Sequence, residues 1–105
     1  MSRVIDLKPE HYNIVAGILR EYVPEHEVIV FGSRATGMAR EKSDLDLCIM
    51  GPSPLSLSEQ GKLADAFDES PLPFKVDVIE WASLEKWFQD IVRKDGIKFN
   101  GPDRS

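Results

Sequence analysis

Two apolar runs with a short polar stretch between them constrain this chain more than any other feature. Val28-Ile29-Val30-Phe31 is β-branched and aromatic and is closed by Gly32, which reads as a buried strand. Asp44 to Met50 is a second strand, ended by Gly51-Pro52-Ser53-Pro54. The segment joining them, Ser33 to Ser43, is polar and basic and carries Gly37; it is a loop or one or two helical turns. A parallel return would need a crossover of about a dozen residues or more, usually helical. The second strand is therefore expected to return antiparallel beside the first.

The flanking segments supply the cover. Pro9 stands where a first helical residue loses nothing by lacking an N–H. Tyr12, Val15, Ala16, Leu19 and Tyr22 then recur at helical spacing until Pro24 stops the helix. Ser56-Leu57-Ser58-Glu59 fits a capping box, and Leu63, Ala66 and Phe67 form the apolar face of the helix it opens. Ser70-Pro71-Leu72-Pro73 breaks that helix. A third strand runs from Lys75 to Ile79, with Val76 and Val78 on one face and Lys75, Asp77 and Ile79 on the other. Ser83 is expected to cap a last helix bearing Leu84, Trp87, Phe88, Ile91 and Val92, which Gly96 ends. The order predicts an α/β fold: one small mixed β-sheet flanked by helices. At 105 residues it is expected to be a single domain, with the tail 100–105 disordered.

Composition narrows the function classes. Acids outnumber bases 18 to 13, a net charge of −5, which argues against coating nucleic acid. No apolar run approaches the roughly 20 residues of a membrane span, and the N-terminus lacks a signal peptide's apolar core. A cytoplasmic location is expected. The single cysteine, Cys48, lies in an apolar run and reads as a buried core residue. His11 and His26 stand near helix ends amid charge and are expected to face solvent. Trp81 and Trp87 read as core or partner-contact aromatics, and the last helix carries more apolar surface than one face can bury, which allows an oligomer.

The chemistry lies where the strands end. Asp44 and Asp46 are two apart on a strand, so their side chains leave the same face. Two carboxylates so placed repel unless a cation separates them, and an all-oxygen set suits Mg²⁺. Asp77 also interrupts an apolar strand, where an unpartnered carboxylate is costly. If the sheet brings Asp77 to the other two, a two-metal site for in-line phosphoryl displacement results. On the loop side, Gly32 lets the backbone approach an anion closely. Ser33 can offer hydroxyl and backbone N–H groups to phosphate oxygens. Arg34, with Arg40 and Lys42, adds local positive charge, so Gly32, Ser33 and Arg34 form the expected nucleotide-binding set. Alone, Gly-Ser is a turn, Asp-x-Asp a surface pair, and Asp77 a partner for Lys75 or Arg93. Glu80 reads as a surface strand end. Their joint order is what carries the chemistry.

Phe31-Gly32-Ser33-Arg34-Ala35-Thr36-Gly37, Ser43-Asp44-Leu45-Asp46-Leu47 and Val76-Asp77-Val78-Ile79-Glu80-Trp81 resemble the DNA polymerase β-type nucleotidyltransferase superfamily. The resemblance is nearest to its minimal nucleotidyltransferase branch, the MNT antitoxins of HEPN–MNT toxin–antitoxin pairs, and it covers nearly the whole chain. It implies the polymerase β palm-like fold. It implies that Gly32 and Ser33 contact the phosphates of ATP, that Asp44 and Asp46 hold Mg²⁺, and that Asp77 completes the site and helps deprotonate the acceptor hydroxyl. For such antitoxins it further implies transfer of AMP from ATP to a tyrosine of a HEPN RNase toxin. Two other functions fit less well. A small-molecule acceptor usually needs a further domain or a shared pocket, and an antitoxin acting by binding alone would not need intact acids.

Overall fold

The computed structural model describes residues 4–99. Helix α1 spans Pro9–Tyr22, β1 Val28–Phe31, α2 Ser33–Thr36, β2 Leu45–Ile49, α3 Leu57–Asp68 and β3 Val76–Glu80. A 3₁₀ turn, Trp81–Ser83, leads into α4, Lys86–Asp95, and β4, Ile97–Phe99. The four strands form one sheet in the order β3-β2-β1-β4. β1 pairs antiparallel with both β2 and β4, and β2 pairs parallel with β3. The segment 33–43 holds a single helical turn and returns the chain antiparallel, as expected. The longer α3 crossover makes the sheet mixed.

Strand alternation assigns each sheet face its work. Val28, Val30, Leu45, Leu47 and Ile49 point to one side and are buried with Val15, Ala16 and Leu19 of α1 and Leu63 and Phe67 of α3. Fully burying an aliphatic side chain contributes about 1.5–3 kcal/mol, and Val15, Val30, Leu45, Leu47 and Leu63 are all essentially inaccessible. The opposite face is smaller. Phe31, Cys48 and Val92 form its core, with Ile29, Met50, Ile79, Trp81, Leu84 and Phe88 packed around them. Here α4 covers only part of the sheet.

The capping box that opens α3 is present in full: Glu59 N–H donates to Ser56 Oγ at 3.1 Å, and Ser56 N–H donates to Glu59 Oε1 at 3.0 Å. Hydrogen bonds from the Ser56 N–H and then its side chain hold the exposed Glu59 carboxyl below its ordinary value. Ser56→Ala is expected to cost about 1 kcal/mol of stability, read as a lower urea midpoint with an unchanged slope.

The structure differs from expectation at Ser83, at β4 and at the histidines. Ser83 does not cap the last helix; it closes the 3₁₀ turn, and α4 begins after Glu85. Gly96 ends α4 as expected, with φ −73°. A side chain there would overlap Ile29 Cγ2 and the Val92 carbonyl, so close approach requires the glycine. β4 was not anticipated: three residues are too few to show a period, and their partner β1 lies far back in the chain. The histidines are not solvent-facing. His11 stands edge-on to Phe74 at 5.5 Å, and His26 Nδ1 lies 2.9 Å from the Met50 carbonyl oxygen. The expected disordered tail, 100–105, lies outside the described residues. Among the described residues no helix is long and apolar enough to cross a membrane.

Candidate active site

The partly covered sheet face changes character in one step along the strands. Ile29, Cys48 and Ile79 stand side by side on β1, β2 and β3, and the next row is Phe31, Asp46 and Asp77. Beneath α4 the row is apolar, and Phe88 reaches Phe31 edge-on at 5.8 Å. One step further the sheet carries adjacent carboxylates, with Asp44 exposed immediately before β2. The parallel register makes Asp46 and Asp77 direct neighbours although 30 residues separate them in sequence. Asp46 and Asp77 are thus neighbours at one end of one face, and Asp44 is near enough for its charge to act on Asp46.

Their electrostatics follow from that crowding. Burial, then the charges of Asp77 and Asp44, pushes the Asp46 carboxyl above its ordinary value. Lys75 Nζ lies 3.7 Å from Asp77 Oδ1, so a solvated ammonium already stands beside the acids. Arg93, the other candidate partner of Asp77, lies instead over the Trp81 ring at 5.1 Å. Among the described residues no three acids, histidines or cysteines are drawn around one point as a ready metal cage. Repelling carboxylates are not expected to close on one another without a cation between them. The donor set nevertheless fits a hard divalent cation: three carboxylates, one of them held protonated more readily by its neighbours.

Gly32 closes the site from the β1 side. Its φ of +74° and ψ of −157° belong to a region that essentially only glycine occupies. A Cβ there would overlap Asp46 Oδ2, so the backbone passes against that carboxylate with no room to spare. Gly32 is also the N-cap of α2, and Ser33 is its first residue. The first N–H groups of a helix have no intrahelical acceptor. The first turn of α2 and the Asp46 carboxylate therefore meet at one place.

Arg34 departs from expectation. It was expected to face the nucleotide, yet it is only 5% exposed and its guanidinium is turned into the protein. Nη1 donates to the Asp6 carbonyl oxygen at 2.8 Å, and Nε and Nη2 to the Ser43 carbonyl oxygen at 3.0 and 2.8 Å. Nη2 also reaches the carbonyl oxygens of Glu41 at 2.9 Å and Arg40 at 3.3 Å. Its donors are committed, which leaves it no fork to offer a phosphate. Glu80, expected at a surface strand end, lies on the helical face of the sheet and accepts the Leu55 N–H at 2.6 Å, away from the acids. Cys48 is fully buried, and burial pushes its thiol up to about 11, so it is no nucleophile.

A family profile described as "Nucleotidyltransferase domain" matches residues 13–100. The chain belongs to that family. This nucleotidyltransferase is 43% identical, over 86% of its length and 79% of the relative's, to a Haemophilus influenzae protein named "Probable protein adenylyltransferase MntA". Its fold is that of solved minimal nucleotidyltransferases: one such structure is 29% identical with a TM-score of 0.66, covering 87% of this chain and 95% of that one. A toxin–antitoxin crystal structure with AMP-PNP superposes with a TM-score of 0.70 at 24% identity, covering 86% of this chain and 73% of that one. A complex of tri-AMPylated Shewanella oneidensis HEPN toxin with MNT antitoxin superposes with a TM-score of 0.65 at 20% identity, covering 90% and 73%.

Two features of the nucleotidyltransferase's site had no visible signal in the sequence. Phe31 was assigned only to a buried strand; its place beside Asp46 comes from the β1–β2 register. The inward turn of Arg34 follows no periodicity, because α2 has only four residues. A helix that short cannot display an amphipathic face.

Proposed function

We propose that this chain is a Mg²⁺-dependent protein adenylyltransferase that moves AMP from ATP to a tyrosine of a HEPN-type partner. The observation that carries the reading is the parallel register of Asp46 with Asp77, beside the Gly32–Ser33 turn. Its likeness to the Haemophilus adenylyltransferase supports AMP as the group moved. The complexes containing a HEPN toxin and an MNT antitoxin support the class of partner.

Asp44, Asp46 and Asp77 would hold the divalent cations, two by the chemistry of such sites. Bound cations would stabilise charge on both the attacking and the leaving oxygen of an in-line displacement. The chain's own residues do the rest. Ser33, with the N–H groups opening α2, holds phosphate oxygens of the triphosphate. Gly32 allows that backbone to stand against Asp46. The acceptor hydroxyl oxygen bonds to the α-phosphorus, its proton passes to an Asp77 carboxylate oxygen, and the bond to the β-phosphate oxygen breaks to release pyrophosphate. Lys75 must release Asp77 for this to occur. Its pairing is solvent-exposed, so the separation costs little.

The test is direct. Incubation with the HEPN partner, Mg²⁺ and ATP should yield AMP adducts on partner tyrosines by intact-mass and peptide spectra; an unmodified partner would refute the reading. If Asp44→Ala removes the adducts but still protects cells, neutralisation works by binding instead. Ser33→Ala should raise the ATP dissociation constant by roughly tenfold, the worth of one hydrogen bond to a charged group. Calorimetry with a non-hydrolysable ATP analogue measures it.

A further inference from the structure

Arg34 is the one buried charged side chain among the described residues, and no carboxylate neutralises it. Burying a cation is costly unless its surroundings repay the lost hydration. The surroundings here are four backbone carbonyls and an aromatic face: its guanidinium carbon lies 4.3 Å from the Phe74 ring centroid. The backbone of Arg34 takes part too, its carbonyl oxygen accepting the Asp6 N–H at 2.8 Å.

The anchored segments matter more than their number. Arg34 follows Ser33, which opens the phosphate-facing turn. Two of its bonds go to the carbonyl of Ser43, the residue before Asp44. The ring it stacks on belongs to Phe74, which precedes Lys75 and Asp77 on the way into β3. One planar guanidinium thus touches all three arms of the site a few residues from the groups that would do the chemistry. Within the 40–43 strap two bonds join its ends: the Ser43 side chain accepts the Arg40 N–H at 2.7 Å, and the Ser43 N–H donates to the Arg40 carbonyl oxygen at 3.0 Å. An ammonium could not replace the fork, because a point charge cannot serve carbonyls spread around a plane.

We propose that Arg34 is a positioning residue of the transfer site, which sets Asp44 relative to Asp46 and Asp77 by clamping the 40–43 strap and thereby tunes affinity for the divalent cation. This rests on the metal-dependent transfer proposed above. A residue that merely holds the fold would, when changed, lower the amount of active protein at every Mg²⁺ concentration. A residue that touches the nucleotide would raise the KM for ATP even at saturating Mg²⁺. A clamp behind a metal ligand does neither.

Arg34→Lys should raise the Mg²⁺ concentration for half-maximal transfer about tenfold or more, the usual cost of removing a partner behind a metal ligand. The rate at saturating Mg²⁺ should stay within roughly threefold of the parent, since ligands once filled act alike. Mn²⁺ binding, read without turnover by electron paramagnetic resonance in the presence of a non-hydrolysable ATP analogue, should weaken in parallel. Should Arg34→Lys fail to fold, Ser43→Ala loosens the same strap from its exposed side and should raise the Mg²⁺ requirement by roughly two- to fivefold, the worth of one ordinary hydrogen bond. An unchanged Mg²⁺ requirement and Mn²⁺ affinity in the folded variants, or a rise confined to the KM for ATP, would overturn the clamp. Parent Mn²⁺ binding that is indifferent to Asp46→Asn would overturn the metal reading itself, which separates the two failures.

Discussion

Asp46→Asn is expected to abolish nucleotidyl transfer while leaving a folded protein that, without metal, is more stable than the parent. The loss follows from replacing an acceptor-only carboxylate with an amide at the centre of the acid row. Several kcal/mol of transition-state charge stabilisation pass through such a ligand, so the rate should fall by about 10³-fold or more. The gain in stability follows from the same crowding. Burial and the charges of Asp77 and Asp44 raise the Asp46 carboxyl above its ordinary value. The folded chain therefore holds this proton more tightly than the unfolded chain does. Stability contributed by this group rises as pH falls through the raised value toward the ordinary one, and is lost as pH rises again. The parent should show that slope in metal-free melts from the ordinary carboxylate value upward, and the Asn variant should not. Mg²⁺ should stabilise the parent at neutral pH and leave the variant unmoved. A variant that melts lower than the parent without metal would contradict the repulsion.

Gly32→Ala should combine two penalties. The backbone conformation at φ +74° and ψ −157° costs a side-chain-bearing residue about 1–3 kcal/mol, and the new Cβ would displace the Asp46 carboxylate. A shift of about 1 Å in a reacting constellation can cost roughly 10²-fold, so transfer should fall at least that far. Urea unfolding and initial rates measure the two separately. Gly37→Ala is the control. Its φ of +83° also disfavours a side chain, but nothing lies within 4 Å of the position. That variant should lose about 1 kcal/mol and keep its transfer rate. Equal loss of transfer in both would remove the special role of the Gly32–Asp46 contact.

The contrast between the glycines also shows how far residue pattern reaches. The Gly-Ser turn and the Asp-x-Asp pair were legible because each is local. A turn needs its glycine where the chain bends, and two residues apart on a strand share a face. The capping box of α3 and the end of α1 before Pro24 were legible for the same reason. Local pattern misled where a side chain had a choice of neighbours. Arg34 looked like a phosphate ligand because it follows Gly-Ser, and it turned inward because carbonyls from Asp6, Arg40, Glu41 and Ser43 meet its fork. Ser83 looked like a cap because it precedes an amphipathic run, but the chain takes a 3₁₀ turn first. In that run Trp87 and Ile91 remain 61% and 44% exposed, so the excess apolar surface expected of α4 is present.

Strand alternation, turn chemistry and helix capping act within a few residues, and they were enough to mark β1, β2 and β3, the antiparallel return and the acids that interrupt those strands. Pairing between distant segments obeys register and packing, which no local pattern carries. Folding alone therefore placed Asp77 beside Asp46, added β4 to the far side of β1 and drew Arg34 behind the strap that leads to Asp44.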